Sequence, residues 1–519
     1  MRRPLAAVPA ILVAGALLIA GCSSPPGHPV GAASSSAAAS GAGSVAGGSG
    51  APPATIAGYG AQKLTWRPCN NGFQCARMLV PFDYQRPGWR RFSLPVIKLP
   101  ASDPARRIGS LVINPGGPGG SGIQYALQAR KVVSAAVRAR FDVVGFDPRG
   151  VGGSVPAIHC LTGPQLDKYF ATTNDPASQA QLVTVVSEAK LFARGCEQRS
   201  GALLPYVGTP NAARDMDVLR AALGDAKLTY LGKSYGTYLG TWYAQLFPSR
   251  VRALVLDGAV SPDESAFSMN LVQAQGFEVA LRAFTANCVR LPSCPLGHGT
   301  VNAGIARLQG LLNRTQSKPL TSRIAGQPAN SAMLLSGVAF ALYSKSFWQY
   351  LRAGLTGAFA GNGTLMVVLA DSLAERAPNG QYSNLVDANM AVNCIDRPVP
   401  RSLHAWRSAA ATAAMAAPQF GAANVWGSLP CAYWPVPAAR PVPLRAAGAP
   451  PILVVGTTRD PATPFRWAQA LARGLKSGVL LGWNGDGHTA YLEGSSCVDT
   501  AVDRYLISLA TPRHGMICS

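Results

Sequence analysis

Between residues 108 and 257 short, continuous apolar runs alternate with longer stretches whose apolar positions recur every three to four residues. Residues 108–114, 141–147, 228–233 and 252–257 read as buried strands, and 122–139 reads as a helix. Ala212, Met216, Leu219 and Leu223 keep a helical period, with Thr209-Pro210 as cap and first turn. Ahead of this region the runs 78–84 and 92–99 suggest an antiparallel opening. After Asp257 the alternation stops for nearly two hundred residues. Segments 266–287, 301–313, 331–343 and 403–416 look helical, with Pro- and Gly-rich loops between them. The alternation resumes with a strand at 451–456, a helix at 465–475 and a strand at 478–483. Strands alternating with helices imply an α/β fold, a mostly parallel sheet covered on both faces. Residues 262–447 then form a helical cap over the strand ends, where such folds place their active sites.

The N-terminus follows a different pattern. Arg2-Arg3 and the apolar run 5–20 make an export signal, too short for a dedicated membrane span. It closes on Leu18-Ile19-Ala20-Gly21-Cys22, which resembles a bacterial lipobox. The expected organisation is a signal peptide over 1–21, then lipidated Cys22 and a Ser/Ala/Gly tether over 22–62. The core follows in two parts, 63–261 and 448–519, around the cap. Acyl chains on Cys22 would hold the protein on the outer side of the cell membrane without spanning it.

Composition narrows the partners. Apolar residues make up 48% of the 519 and charged residues 13%, which fits a globular chain. The net charge of +22 raises nucleic acid as a partner, but the basic residues are scattered and no zinc-finger or RNA-binding motif accompanies them. A basic solvated surface is the simpler reading. Apart from Cys22 there are ten cysteines, an even number that implies disulfides in an exported chain. Short separations favour pairing in chain order: Cys69–Cys75, Cys160–Cys196, Cys288–Cys294, Cys394–Cys431 and Cys497–Cys518. No Cys-x-x-Cys spacing suggests a metal, and no cofactor is expected.

The chemistry centres on Gly232-Lys233-Ser234-Tyr235-Gly236, which links the strand at 228–233 to an amphipathic run over 238–247. Strand, Gly-x-Ser-x-Gly and helix are the nucleophile elbow of an α/β-hydrolase, with Ser234 as nucleophile. A serine needs a base, and the base needs an acid to orient it; in this fold the chain order is Ser, acid, His. Of the six histidines, His488 alone follows closely on the strand at 478–483; His28 falls in the tether, His159 ahead of the elbow, His298 and His404 in the cap and His514 in the tail. Asp460, just after the strand at 451–456, is the first candidate acid and Asp257 the alternative; Asp486 is too near His488 to reach round to its far nitrogen. Backbone donors for the oxyanion are expected from Tyr235 and from Asn114-Pro115-Gly116-Gly117-Pro118-Gly119-Gly120, with Gly117 first and Gly116 second.

Asn-Pro-Gly-Gly-Pro-Gly-Gly, Asp147-Pro148-Arg149-Gly150-Val151-Gly152, Gly-Lys-Ser-Tyr-Gly-Thr and Asp460-Pro461-Ala462-Thr463-Pro464 together resemble the tripeptidyl-aminopeptidase-like α/β-hydrolases. These are relatives of proline iminopeptidase that include exported mycobacterial serine hydrolases. The resemblance runs from about Trp66 to the C-terminus, and Val392-Asn393-Cys394-Ile395-Asp396 also looks like a family segment. It implies a Ser-His-Asp peptidase releasing short peptides from a free N-terminus, with carboxylesterase action on lipid or small esters as the alternative. Two positions depart from the pattern: Asn114-Pro115 replaces the His of proline iminopeptidases, and Lys233 stands where an aromatic or small residue is usual. Seven acidic residues in the cap face twice as many Arg and Lys, a poor general attractor for an amine. One desolvated carboxylate outweighs such a diffuse field. Asp396, beside Cys394, is the candidate for the substrate's ammonium; pairing with Arg397 is the alternative.

Overall fold

The computed structural model describes residues 52–173 and 175–519. The export signal, Cys22 and the tether up to residue 51 lie outside the described residues. The stretch 56–62, expected as tether, instead belongs to the folded core: it forms the helix Ile56–Gly60, Tyr59 is buried in the main apolar core, and Gln62 bonds the Leu79 backbone. Ten strands form one sheet among the described residues: β1 (Arg67–Cys69), β2 (Phe73–Pro81), β3 (Arg91–Leu99), β4 (Gly109–Asn114), β5 (Phe141–Phe146), β6 (Leu228–Lys233), β7 (Val251–Asp257), β8 (Ile452–Arg459), β9 (Gly478–Asp486) and β10 (Met516–Cys518). Their order is β1-β2-β3-β5-β4-β6-β7-β8-β9-β10. The first three strands and the β3–β5 pair are antiparallel; from β5 across to β10 every pair is parallel.

The central strands β4, β5 and β6 are buried along their whole length, because helices cover both faces of the sheet. Side chains alternate between the two covers, as strand geometry requires. Tyr230, Leu254 and Val454 join the core beneath the helices Thr209–Ala222 and Tyr235–Leu246. Their neighbours Leu231, Val255 and Val455 join the opposite core, against the helix Ser496–Ser508.

The expected helix over 122–139 is three short helices instead, Gly122–Leu127, Ala129–Val132 and Ala135–Arg140. Ser134 restarts the chain by accepting from the Val137 N–H, a local cap that competes with a continuous helix.

After β7 the cap is helical, and the helices Ala266–Cys288, Val301–Ser317, Ser331–Leu342 and Trp348–Phe359 enclose an apolar core of their own. Its limits are interlocked with the hydrolase core. Leu182, Val185 and Ala189 of the helix Gln179–Ser200, well ahead of the elbow, pack against Trp406 and Trp426 of the cap. In the other direction, Ala388, Ala391, Val392 and Ile395 of the cap helix Leu385–Asp396 belong to the main core. Five disulfides join the cysteines in chain order: Cys69–Cys75, Cys160–Cys196, Cys288–Cys294, Cys394–Cys431 and Cys497–Cys518. Among the described residues, no helix is long and apolar enough to cross a membrane.

Candidate active site

Ser234 lies between β6 and the helix Tyr235–Leu246 with φ 56° and ψ −126°, a conformation a non-glycine residue rarely adopts. Gly232 allows it: a Cβ there would stand 2.4 Å from the Gly236 carbonyl oxygen. The Ser234 N–H donates to the Asp257 carbonyl at 2.9 Å, and Thr237 Oγ1 donates to the Ser234 carbonyl at 2.6 Å. The serine is thereby held between two strand ends and the first turn of its helix.

Asp460 follows β8, and His488 follows β9. His488 Nδ1 is 2.9 Å from Asp460 Oδ1 and 3.0 Å from Oδ2. Asp460 is fixed in turn by the N–H groups of Ala462 and Thr463 at 2.9 and 2.8 Å, the Thr463 hydroxyl at 3.0 Å and the Thr489 N–H at 3.2 Å. A carboxylate accepting at Nδ1 fixes the imidazole tautomer with its lone pair on Nε2. That Nε2 is buried and has no partner among the described residues, which leaves it free to take a hydroxyl proton.

The alternative acid does other work. Asp257 accepts from the Ala490 N–H at 2.9 Å and the Tyr491 N–H at 3.0 Å, and lies 3.9 Å from Lys233 Nζ. Lys233 in turn donates to the Tyr491 carbonyl at 3.0 Å. The unusual elbow lysine and Asp257 therefore tie the nucleophile's strand to the segment that follows His488. Burial pushes the Asp257 carboxyl above its ordinary pKa, opposed by Lys233 and the two N–H donors. Asp486 is engaged by Arg459 at 2.5 Å and Lys345 at 3.5 Å.

The glycine loop after β4 lies on the elbow. A Cβ on Gly116 would stand 2.5 Å from the Lys233 carbonyl and 2.9 Å from the Tyr235 nitrogen, and its φ of +96° suits only glycine. Gly116's own N–H is spent on Asn114 Oδ1 at 3.0 Å, so Asn114 shapes the loop from the place where proline iminopeptidases carry histidine. The Gly117 N–H has no acceptor among the described residues. The Tyr235 N–H opens its helix, where no intrahelical carbonyl is available. Both N–H groups expected to receive an oxyanion are thus unengaged among the described residues, as is that of Gly119.

Comparison with known proteins gives the family. The serine protease Hip1 of Mycobacterium tuberculosis is 39% identical over 477 residues, covering 88% of this chain and 91% of the relative. Carboxylesterase B of the same species is 38% identical over 455 residues, 86% of each chain. The tripeptidyl aminopeptidase of Streptomyces coelicolor is 34% identical over 454 residues, 86% of this chain and 83% of the relative. The family model described as TAP-like protein matches residues 417–518. The chain belongs to the tripeptidyl-aminopeptidase-like α/β-hydrolases.

In this serine hydrolase the cap touches each part of the site. Tyr343 of the cap accepts from the His488 N–H at 2.7 Å, and its ring stands edge-on to the imidazole with centroids 5.3 Å apart. Gln273 donates to the Ala462 carbonyl beside Asp460 at 2.9 Å. Asn389 donates to the Pro118 carbonyl of the glycine loop at 2.9 Å. A cavity of about 340 Å³ lies between the cap and the segment 169–175, lined by Phe170, Leu335, Leu385, Val386, Asn389 and Met390 among others. Leu385 and Asn389 bring its wall to the glycine loop. Although the cap is basic, Asp175 is the only charged residue among the described residues lining this cavity. A second cavity of about 220 Å³ lies beside His488, with Tyr343, Lys345, Asp486 and Glu493 in its wall.

Asp396 is placed differently from its expected role. It ends the helix Leu385–Asp396, is buried, and accepts from the Thr209 N–H at 2.9 Å and from the Thr209 hydroxyl. It is not salt-bridged to Arg397 either, whose guanidinium lies 4.5 Å from the centre of the Tyr238 ring. Sequence reasoning passed over Thr463, Asn114, Tyr343 and Thr209. Thr463 carried a signal, since an Asp with Thr three positions on is a common side-chain-to-backbone turn. Tyr343 and Thr209 had none, because their contacts lie 145 and 187 positions away along the chain.

Proposed function

We propose that this serine hydrolase is a peptidase that releases short peptides from a free N-terminus by way of an acyl-enzyme. The buried, unpartnered His488 Nε2, with Nδ1 held by Asp460, carries the reading. His488 takes the Ser234 proton as Oγ adds to the carbonyl carbon, and the Tyr235 and Gly117 N–H groups receive the oxyanion. The imidazolium, stabilised by Asp460, returns the proton to the leaving amine. Water activated by the same nitrogen then cleaves the acyl-enzyme.

The cavity lining supports a peptide carrying a free amine. The basic residues that made the cap look hostile to cations do not line the 340 Å³ cavity, whose one charge is the carboxylate of Asp175, and in the cavity beside His488 Lys345 is outnumbered by Asp486 and Glu493. The largely apolar wall favours the second reading, a carboxylesterase acting on lipid or small acyl esters, and one relative bears that name. The test compares free peptide amides, their N-acetylated forms and acyl esters on the purified enzyme, with Ser234→Ala as the control. Preference for the free amine by tenfold or more in kcat/KM is expected; equal turnover of blocked and free peptides rules out an aminopeptidase.

The protein acts, in this reading, outside the cell membrane and is anchored through Cys22. The apolar run and lipobox-like sequence support that placement. Cys22→Ala should release the protein from the membrane fraction or stall its processing, and unchanged detergent-dependent fractionation counts against the anchor.

A further inference from the structure

We propose that the cap helix Leu385–Asp396 sets the oxyanion hole from both sides. Its first turns hold the glycine loop, and its last residue holds Tyr235 through the Thr209 hydroxyl. The inference rests on the serine-hydrolase reading above and reassigns Asp396 from a substrate contact to a positioning residue.

At its first turns, Leu385 Cδ1 is 3.5 Å from the place a Cβ on Gly117 would occupy, and the Leu385 carbonyl is 2.6 Å from that of Gly119. Asn389, one turn on, holds the Pro118 carbonyl at 2.9 Å. At the other end, about 18 Å along a twelve-residue helix, stands Asp396. Its Oδ1 accepts from the Thr209 N–H at 2.9 Å, closing the first turn of the helix Thr209–Ala222, and its Oδ2 accepts from the Thr209 hydroxyl. Thr209 Oγ1 is also 2.5 Å from Tyr235 Oη.

Donor and acceptor assignments follow from atom inventory. An ionised carboxylate only accepts, so the single Thr209 hydroxyl hydrogen goes to Asp396, and the Tyr235 hydroxyl must donate to Thr209. The chain fixes the ring of the residue whose backbone N–H stands beside Ser234. Tyr235, Tyr238 and Arg397 are the other titratable or charged groups around Asp396. Burial pushes its carboxyl up to about 6, against the two Thr209 bonds and Arg397. At neutral pH the carboxylate form predominates and the chain is intact. Oxyanion stabilisation depends on donors fixed at hydrogen-bond distance, and loss of a whole donor costs about a hundred- to a thousand-fold in kcat. A donor that is loosened rather than lost should cost less, about tenfold.

The test uses Tyr235→Phe, which removes one oxygen and keeps the ring. We expect kcat to fall about tenfold with KM little changed, on amide and ester substrates alike. The affinity for an alkyl trifluoromethyl ketone, whose hemiketal oxyanion occupies the hole, should fall by the same factor. Thr209→Val should match Tyr235→Phe, Thr209→Ser should restore the rate, and the double variant Thr209→Val/Tyr235→Phe should be no worse than either single one, because both cut one chain. Wild-type kcat and inhibitor affinity in Tyr235→Phe would overturn the proposal. So would losses that multiply in the double variant, or a loss confined to KM for free-amine peptides. Failure of the underlying reading looks different: a fluorophosphonate probe would not label Ser234 in the wild type.

Discussion

Ser234, Asp460 and Asp257 each occupy the end of a parallel strand or the turn beyond it, and their substitutions separate chemistry from architecture. Ser234→Ala removes the nucleophile from a conformation that the surrounding backbone imposes. Hydrolysis and fluorophosphonate labelling should vanish while the melting temperature stays within a few degrees. Asp460→Asn keeps the shape but can no longer favour the tautomer with a free Nε2, so kcat should drop by about ten-thousand-fold. Asp257→Asn should act on stability instead. It removes one of the two carboxylates beside the buried Lys233, leaving Glu493 at 3.7 Å, and weakens two backbone bonds, so it should cost less than the about 3–5 kcal/mol of a charge left with no partner. Thermal melts beside single-turnover rates decide the matter. If Asp257→Asn loses far more rate than Asp460→Asn, the acid has been misassigned.

The elements act through the fit of the glycine loop against the elbow. Gly116→Ala would set a methyl 2.5 Å from the Lys233 carbonyl at a φ of +96°, so the loop must move away from Tyr235. We expect kcat to fall at least a hundredfold, as for loss of an oxyanion donor, with a smaller change in KM; wild-type kcat would show that the loop does not frame the hole. The cap helices explain why the site is enclosed. Tyr343, Gln273 and Asn389 come from three cap segments, and each makes a hydrogen bond to a different catalytic loop.

For the molecule as a whole, burial has a consequence for stability against pH. Asp371, Asp387 and Asp396 are all pushed up to about 6 by burial, more than two units above an ordinary aspartate. With folded-state values above unfolded ones, the native chain binds more protons between about pH 4 and 6, so stability is greatest below that window and is lost as pH rises through it. Each group should forfeit about 1 kcal/mol between pH 5 and 7. The melting temperature should therefore be higher at pH 5 than at pH 7 by about 2–4 °C. Asp387→Asn should reduce that difference; an opposite slope in the wild type would refute the account.

What the sequence determined by itself was local. The elbow is a run of five residues, and the strand–helix alternation is a period. The order Ser, acid, His is a matter of succession, and short cysteine separations were enough to suggest pairing in chain order. Tertiary structure decided among groups that look alike along the chain. Asp257 and Asp460 both follow apolar runs, and only the packing of the 488–491 segment gives one to the imidazole and the other to Lys233. Gly116 and Gly117 are adjacent and chemically identical, yet Asn114 consumes one N–H and leaves the other. The helix Gln179–Ser200 precedes the elbow but packs with the cap, and Asp396 belongs to the cap but closes a helix of the core. Periodicity states which face of an element is apolar, not which distant surface will cover it. Burial and the long-range hydrogen bonds that satisfy buried polar groups made those choices.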